Sequence, residues 1–281
     1  MTITVPSAFT VDDVLKDRVA LVTGAGKGIG AGVAEQLARA GATVIVNDSD
    51  LVAAEYLTAE LTGAGLRATS LSGDITRQDT LDEVVEFGTG LGGIDVLVNN
   101  AGITGKKHLS DLDVETWNRV LDVNLTAPFR LAAAVLPQMR RKGHGRIINI
   151  ASIAGIRVSV LGGAAYTASK SGVLGLTRHL SSELAVDGIT ANAILPGVTL
   201  TPLVEQVTDE DERVRMAASV PLGRMGRPAD VGRLAVYLAS EAAGFITGVS
   251  IPIDGGMTVL PGDYTEYRTT RREDPVWTAT A

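Results

Sequence analysis

The 281-residue chain has no cysteine, so disulfides, thiolate metal sites and a cysteine nucleophile are excluded. It has no surplus of basic charge: 25 Lys and Arg stand against 32 Asp and Glu, a formal net charge of −7, which argues against a surface built to gather nucleic-acid phosphates. No stretch reaches the roughly 18 continuous apolar residues of a membrane helix. The opening MTITVPSAFTVDDVLKDR lacks the basic start and apolar run of a secretory leader. A cytoplasmic protein with neither nucleic-acid nor membrane partners is expected. The histidines His108, His144 and His179 are scattered without ligand partners at metal spacing, so no metal is expected. No repeat or low-complexity linker splits the chain.

What is present is a regular alternation. Residues 18–23 (RVALVT) form a short apolar run that stops at glycines, and 29–40 follow helical periodicity. The pattern repeats with strands over 42–47 and 67–71 and helices over 50–62 and 78–89, then further strands over 94–98, 146–151, 189–195 and 249–253. Strands apolar along their whole length, separated by helices, predict an α/β fold: a doubly wound parallel sheet of about seven strands with helices on both faces, Rossmann-type. The expected organisation is an N-terminal extension over 1–17, a single catalytic domain over 18–262, and a charged, Thr-rich tail over 263–281 that is loosely ordered or straps a neighbouring subunit or the pocket mouth.

Thr23-Gly24-Ala25-Gly26-Lys27-Gly28-Ile29-Gly30 falls where the first strand hands over to the first helix. Glycines there let a pyrophosphate approach the backbone, and the helix N-terminus favours its charge. Asp48 ends the second strand eighteen residues after Gly30. A carboxylate at that place accepts hydrogen bonds from ribose hydroxyls and repels a 2′-phosphate, which favours NAD over NADP. Lys27 points the other way, as a cation able to reach such a phosphate, so NADP stays open.

Tyr166 and Lys170 are four apart and share one helix face. Hydride transfer to a carbonyl leaves negative charge on oxygen and needs a proton donor close by. A nearby ammonium and a cationic nicotinamide ring are expected to lower the tyrosine from its usual value near 10, so that Tyr166 serves as acid in reduction and base in oxidation. Ser152, at a strand C-terminal end, suits polarising the substrate oxygen.

TGAGKGIG, NNAG at 99–102, Ser152, Tyr166-Thr-Ala-Ser-Lys170 and Pro196-Gly197, in this order, resemble the short-chain dehydrogenase/reductase family in its short single-domain form. The resemblance spans roughly residues 16–262 and includes PLGRMGRPADVGRLAVYLAS and the DGG at 254–256. Three residues separate Gly24 from Gly28, as in that family and unlike the longer epimerase branch. The resemblance implies that Asn124 completes the catalytic group with Ser152, Tyr166 and Lys170, holding a water that passes protons to Lys170, whose side chain also contacts the nicotinamide ribose. It further implies cofactor contacts from Gly24, Lys27, Gly28, Ile29, Gly30 and Asp48. Asp74 and Ile75 are expected against the adenine, Asn100, Ala101 and Gly102 along the cofactor, Pro196, Gly197, Val198 and Thr199 near the carboxamide, and Thr201 at the phosphates. Ser152 to Tyr166 is fourteen steps where many relatives have thirteen, which implies an insertion beside the substrate.

Leu200, Leu203, Val204, Val207 and Met216, with Val158, Val160 and Leu161, suggest an apolar wall, although core packing explains several of them equally well. The expected substrate is a hydrophobic or alicyclic ketone or secondary alcohol. The alternative within enzymes is an NADPH-dependent 3-oxoacyl-carrier-protein reductase or biosynthetic ketoreductase. The resemblance implies that such reductases dock the acidic carrier through two arginines. One matches Arg130 and the other falls on Asp187, whose carboxylate would repel the carrier. An alternative of another class is a dinucleotide-binding regulator or scaffold without turnover. Self-association as a homotetramer or homodimer, through the helices carrying Asn124 and Tyr166 and the last strand, is also implied.

Overall fold

The computed structural model describes residues 13–159 and 162–259. Its strands are β1 (Val19–Thr23), β2 (Thr43–Asp48), β3 (Ala68–Ser72), β4 (Val96–Asn99), β5 (Gly145–Ile150), β6 (Ile189–Pro196) and β7 (Ser250–Ile253). They pair in the order β3-β2-β1-β4-β5-β6-β7. Every pair is parallel. The helices are α1 (Gly28–Arg39), α2 (Leu51–Gly63), α3 (Gln78–Gly90), α4 (Val114–Leu121), α5 (Ala127–Lys142), α6 (Gly163–Leu184), α7 (Pro202–Val207), α8 (Glu210–Ala218) and α9 (Pro228–Ala239).

The inner strands are largely apolar because both of their faces are covered, while the edge strands β3 and β7 are half-buried. Successive side chains point to opposite faces. Ala20 and Val22 of β1, with Val44, Val46, Val96, Val98 and Ile148, therefore pack under Val33 and Leu37 of α1 and Ala235 of α9. Val19 and Leu21, with Ile45, Leu97 and Ile147, pack under Val84 of α3, Leu131 and Val135 of α5 and Leu184 of α6. The helices α1 and α9 approach too closely for side chains at two glycines: a Cβ on Gly32 would lie 2.4 Å from Pro228 Cβ, and one on Gly232 would lie 2.6 Å from the Gly32 carbonyl oxygen.

Helices α4 and α5 run on through a π-helical turn, Asp122–Thr126, as one helix, Val114–Lys142. That helix is long and apolar enough to cross a membrane by length and composition, but its inner face, with Leu131, Val135 and Met139, is buried against the sheet. Residues 13–17, assigned above to an extension, form a turn whose Leu15 is buried in the core and whose N–H donates to the Ala40 carbonyl (2.8 Å). Residues 1–12, Val160, Leu161 and the 263–281 tail lie outside the described residues, as do the side chains of Leu203 and Val207.

Strand β1 leads to β2 and β3 on one side, while β4 begins the run of strands on the other. The crevice past the C-terminal ends of β1 and β4 is thus the topological switch point, where ligands bind in open α/β sheets.

Candidate active site

A cleft of about 610 Å³ opens at this switch point, a size suited to a cofactor-scale ligand. Gly24 and Gly28 have φ values of 59° and 60°, a left-handed conformation that favours glycine. A Cβ on Gly30 would come within 2.2 Å of the Gly24 carbonyl oxygen and 2.4 Å of Asn100 Nδ2, so this position needs glycine for space. Asn100 Nδ2 donates to the carbonyls of Thr23 and Gly24 (both 2.9 Å), and Thr23 Oγ1 accepts from the N–H groups of Asn100 (3.0 Å) and Ala101 (3.1 Å). The second turn thereby clamps the first. No side chain caps α1 at Lys27, so its first N–H groups are free to hold an anion. A bare-backbone cradle at a helix N-terminus, bordered by a carboxylate, fits a dinucleotide.

Asp48 Oδ2 accepts from Gly26 N–H (2.9 Å) and Oδ1 from Asp50 N–H (3.0 Å), which fixes the carboxylate at the rim. Lys27 Nζ is 2.9 Å from Asp50 Oδ2. Their mutual hydrogen bond raises the Lys27 pKa and lowers that of Asp50. At the far end, burial works to raise Asp74, but hydrogen bonds from Thr76 and from Arg119 Nη2 (2.9 Å) outweigh it and hold the carboxyl below its ordinary range.

The other end gathers the proton-handling residues. The π turn places Asn124, 1% exposed, where its Oδ1 accepts from Ile103 N–H (2.8 Å) while Nδ2 donates to the Ile103 carbonyl (2.9 Å) and to Ser169 Oγ (3.0 Å). π turns interrupt α-helices mostly at functional positions. Ser169 Oγ in turn donates to the Tyr166 carbonyl (2.8 Å). Lys170 Nζ donates to the Ile150 carbonyl (2.9 Å) and lies 5.7 Å from the centre of the Tyr166 ring. Burial lowers the Lys170 pKa to about 8. Ser152 Oγ accepts from Ala154 N–H (3.1 Å) and is the hydroxyl partner of Tyr166.

One expectation is reversed in the protein alone. Tyr166 is raised, not lowered: burial disfavours the phenolate more than the Ser152 hydrogen bond favours it. Lys170 does not offset this, because its ammonium is turned to the Ile150 carbonyl and is itself weakened by burial.

Of the sequence-derived positions, Gly24, Lys27, Gly28, Ile29, Asp48, Asp74, Ile75, Asn100, Ala101, Gly102, Tyr166, Lys170 and Thr201 line the cleft. Gly30, Asn124, Ser152, Pro196, Gly197, Val198 and Thr199 are not among the lining residues. Thr199 is buried, with its hydroxyl on the Gly197 carbonyl (3.2 Å), and Thr201 Oγ1 caps α7 by accepting from Val204 N–H (3.4 Å). The lining also includes Asn47, Arg119, Ile103, Thr104 and Gln206, which sequence reasoning missed. Asn47 adjoins Asp48 at the end of β2, a signal that was available. Arg119 comes from α4, forty-five residues beyond its partner Asp74, and carries no local signal.

Against known proteins, residues 24–258 match a family model described as enoyl-(acyl carrier protein) reductase. The chain is 38% identical over 247 residues to the 3-oxoacyl-[acyl-carrier-protein] reductase of Vibrio cholerae, covering 88% of this chain and 99% of that protein. The chain belongs to the short-chain dehydrogenase/reductase family. It is accordingly an oxidoreductase that works between CH–OH and carbonyl groups with a nicotinamide cofactor. The cis-4-hydroxycyclohexanecarboxylate dehydrogenase of Sinomonas cyclohexanicum is 39% identical, covering 87% of this chain and 98% of that protein. Among solved structures, a gluconate 5-dehydrogenase from Burkholderia cenocepacia, in complex with NADP and tartrate, superposes with a TM-score of 0.82 at 34% identity over 89% of this chain and 99% of that one.

Proposed function

We propose that the protein interconverts a secondary alcohol and a ketone with NAD(H), on a hydrophobic or alicyclic substrate. The observation that carries this reading is the convergence of Ser152, Tyr166 and Lys170 at one end of a dinucleotide-sized cleft whose other end is bordered by Asp48. Bound there, the nicotinamide supplies hydride exchange with the carbinol carbon. Ser152 donates a hydrogen bond to the substrate oxygen, and Tyr166 takes the hydroxyl proton in oxidation and returns it in reduction. In the cofactor complex Lys170 would turn from the Ile150 carbonyl toward the nicotinamide ribose, and from there its ammonium would favour the phenolate. Asn124 stays locked between Ile103 and Ser169, with a second lone pair on Oδ1 for the water expected to feed Lys170.

Preference for NAD is supported by the pairing of Lys27 with Asp50, which commits the cation otherwise able to meet a 2′-phosphate and adds a second carboxylate beside Asp48. An alicyclic substrate is supported by the identity to a dehydrogenase of a hydroxycyclohexane acid. Cytoplasmic location and self-association into a homotetramer or homodimer belong to the same proposal.

A second reading, an NADPH-dependent 3-oxoacyl-carrier-protein reductase, is favoured by the 38% identity to such enzymes. Arg130 is engaged by the Thr76 carbonyl (2.6 Å) and Gln78 (2.9 Å), which leaves it poorly placed to grip a carrier. Asp187 is paired with Arg140 (2.8 Å), so it repels an acidic carrier less than a bare carboxylate does.

The test is a screen of alcohols and ketones with both cofactors, read by the absorbance of reduced nicotinamide, alongside Tyr166→Phe. The expected result is tighter NAD than NADP and, for the variant, normal cofactor binding with turnover lower by orders of magnitude. Unchanged turnover sinks the mechanism, tighter NADP sinks the cofactor preference, and brisk reduction of acyl-carrier thioesters installs the second reading.

A further inference from the structure

The loops that flank Tyr166 differ in charge from the molecule as a whole and from the segment after Gly197, which carries Glu205, Asp209, Glu210, Asp211 and Glu212. Net charge is −7, yet residues 146–182, which include Ser152, Tyr166 and Lys170, contain no Asp or Glu, and neither do residues 99–110. Among the cations of these segments, Arg157 and Lys106 lie on the loops that flank Tyr166 and have no acidic partner among the described residues. Arg157 lies on the loop between Ser152 and Tyr166, and its Nη1 donates to the Met257 carbonyl at 3.2 Å. Met257 belongs to the opposite wall, because its sulfur would lie 3.3 Å from a Cβ on Gly197. The guanidinium thus ties the loop that leads from Ser152 toward Tyr166 to the segment that packs on Gly197. A single neutral backbone acceptor leaves its remaining N–H donors free for a bidentate pair. Lys106 follows Gly105, whose N–H donates to the carbonyl of Gly162 on the same loop (3.3 Å). The acid nearest Met257 in the chain, Asp254, is occupied by the N–H groups of Gly256 (2.9 Å) and Thr258 (2.7 Å).

We infer that the substrate is an anion, a hydroxy acid and its keto acid, whose carboxylate is held at the mouth by Arg157 while Lys106 adds to the attracting field. This rests on the alcohol–ketone reading above and narrows its substrate class. The carboxylate is a spectator: the carbinol carbon gives up hydride to the nicotinamide, the hydroxyl proton goes to Tyr166, and the acid group fixes which carbinol reaches them. An otherwise unneutralised guanidinium facing solvent is well suited to steer an anion inward, and the attraction falls with salt.

The experiment compares 4-hydroxycyclohexanecarboxylate with its primary amide, a matched neutral analogue, with NAD and the full-length protein. The acid is expected to exceed the amide in kcat/KM by about 10- to 100-fold, mostly through KM and less so at high salt. R157Q is expected to erase that ratio, and R157K to restore part of it, with melting temperatures unchanged. Equal turnover of acid and amide, or a ratio untouched by R157Q, overturns the inference and leaves the alcohol–ketone reading standing. If neither compound nor any other alcohol or ketone of the screen reacts while cofactor still binds, the reading itself fails and the inference falls with it.

Discussion

Lys170 shows how function and stability oppose one another within one side chain. Its ammonium is buried, and the pKa falls from 10.5 to about 8. A depressed lysine contributes stability above its unfolded value that is lost as pH falls through the folded value, so at neutral pH the full cost of burying the charge is present. Replacing it with methionine is expected to stabilise the cofactor-free protein by about 1 to 3 kcal/mol at pH 7, less the bond to the Ile150 carbonyl, while abolishing turnover. Thermal melts at pH 7 and pH 10 check this, with a gain that shrinks at the higher pH. A variant that melts lower at pH 7 contradicts it. Asp50 makes a second case. If its bond to Lys27 is what keeps that cation from a 2′-phosphate, Asp50→Ala is expected to raise kcat/KM for NADP by up to about 10-fold and leave NAD nearly unchanged. An identical cofactor ratio in the variant argues that Asp48 alone sets the preference.

Among the elements, β5 carries chemistry at both ends. Its C-terminal end delivers Ile150, whose carbonyl holds Lys170, and Ser152 follows. Its N-terminal end sits in an ion cluster where Arg146, 3% exposed, meets Glu241 at 3.2 Å. His144, just before the strand, is held down to about 4 by burial and by Arg146 and Arg18, against the opposing pull of Glu241 and Asp95. The unfolded chain takes up this proton near 6.5 and the folded one only near 4, so stability is lost as pH falls through that interval. His144→Gln is expected to flatten the decline in melting temperature between pH 6.5 and pH 4. An unaltered acid limb shows that other groups govern it. Elements of this kind were legible in the sequence to different degrees. The inner strands announced themselves because burial on both faces makes them largely apolar, as Ala20 to Val22 show, whereas the edge strands β3 and β7 are half-buried and more mixed. The glycine loop and Tyr166–Lys170 were legible because their spacing is local. The π turn around Asn124 was not, since it is set by what Asn124 grips at Ile103 and Ser169. Arg119 was equally hidden, as its partner Asp74 lies across the crevice.

For the whole molecule, exposed aromatic surface points outward from the elements expected to pair. Phe245, ahead of β7, is fully exposed, and Phe129 on α5 is half exposed. Large apolar side chains left to water favour association. Light scattering is expected to give a multiple of the 29.2 kDa chain mass, and F245D to shift it toward smaller species. A mass of one chain refutes the proposed assembly.

The meeting of α1 with α9 ties the first helix to the last. Gly32 fits tightly against Pro228, and Gly232 against the Gly32 carbonyl and the Gln36 side chain, so neither position has room for a Cβ. Residues two hundred positions apart therefore complete one core, and a ribosome must have released α9 before the half of the sheet beneath α1 is covered. Until then the part of this face that α9 covers stays open in the nascent chain. The last quarter of the chain thus completes a core that the first quarter begins.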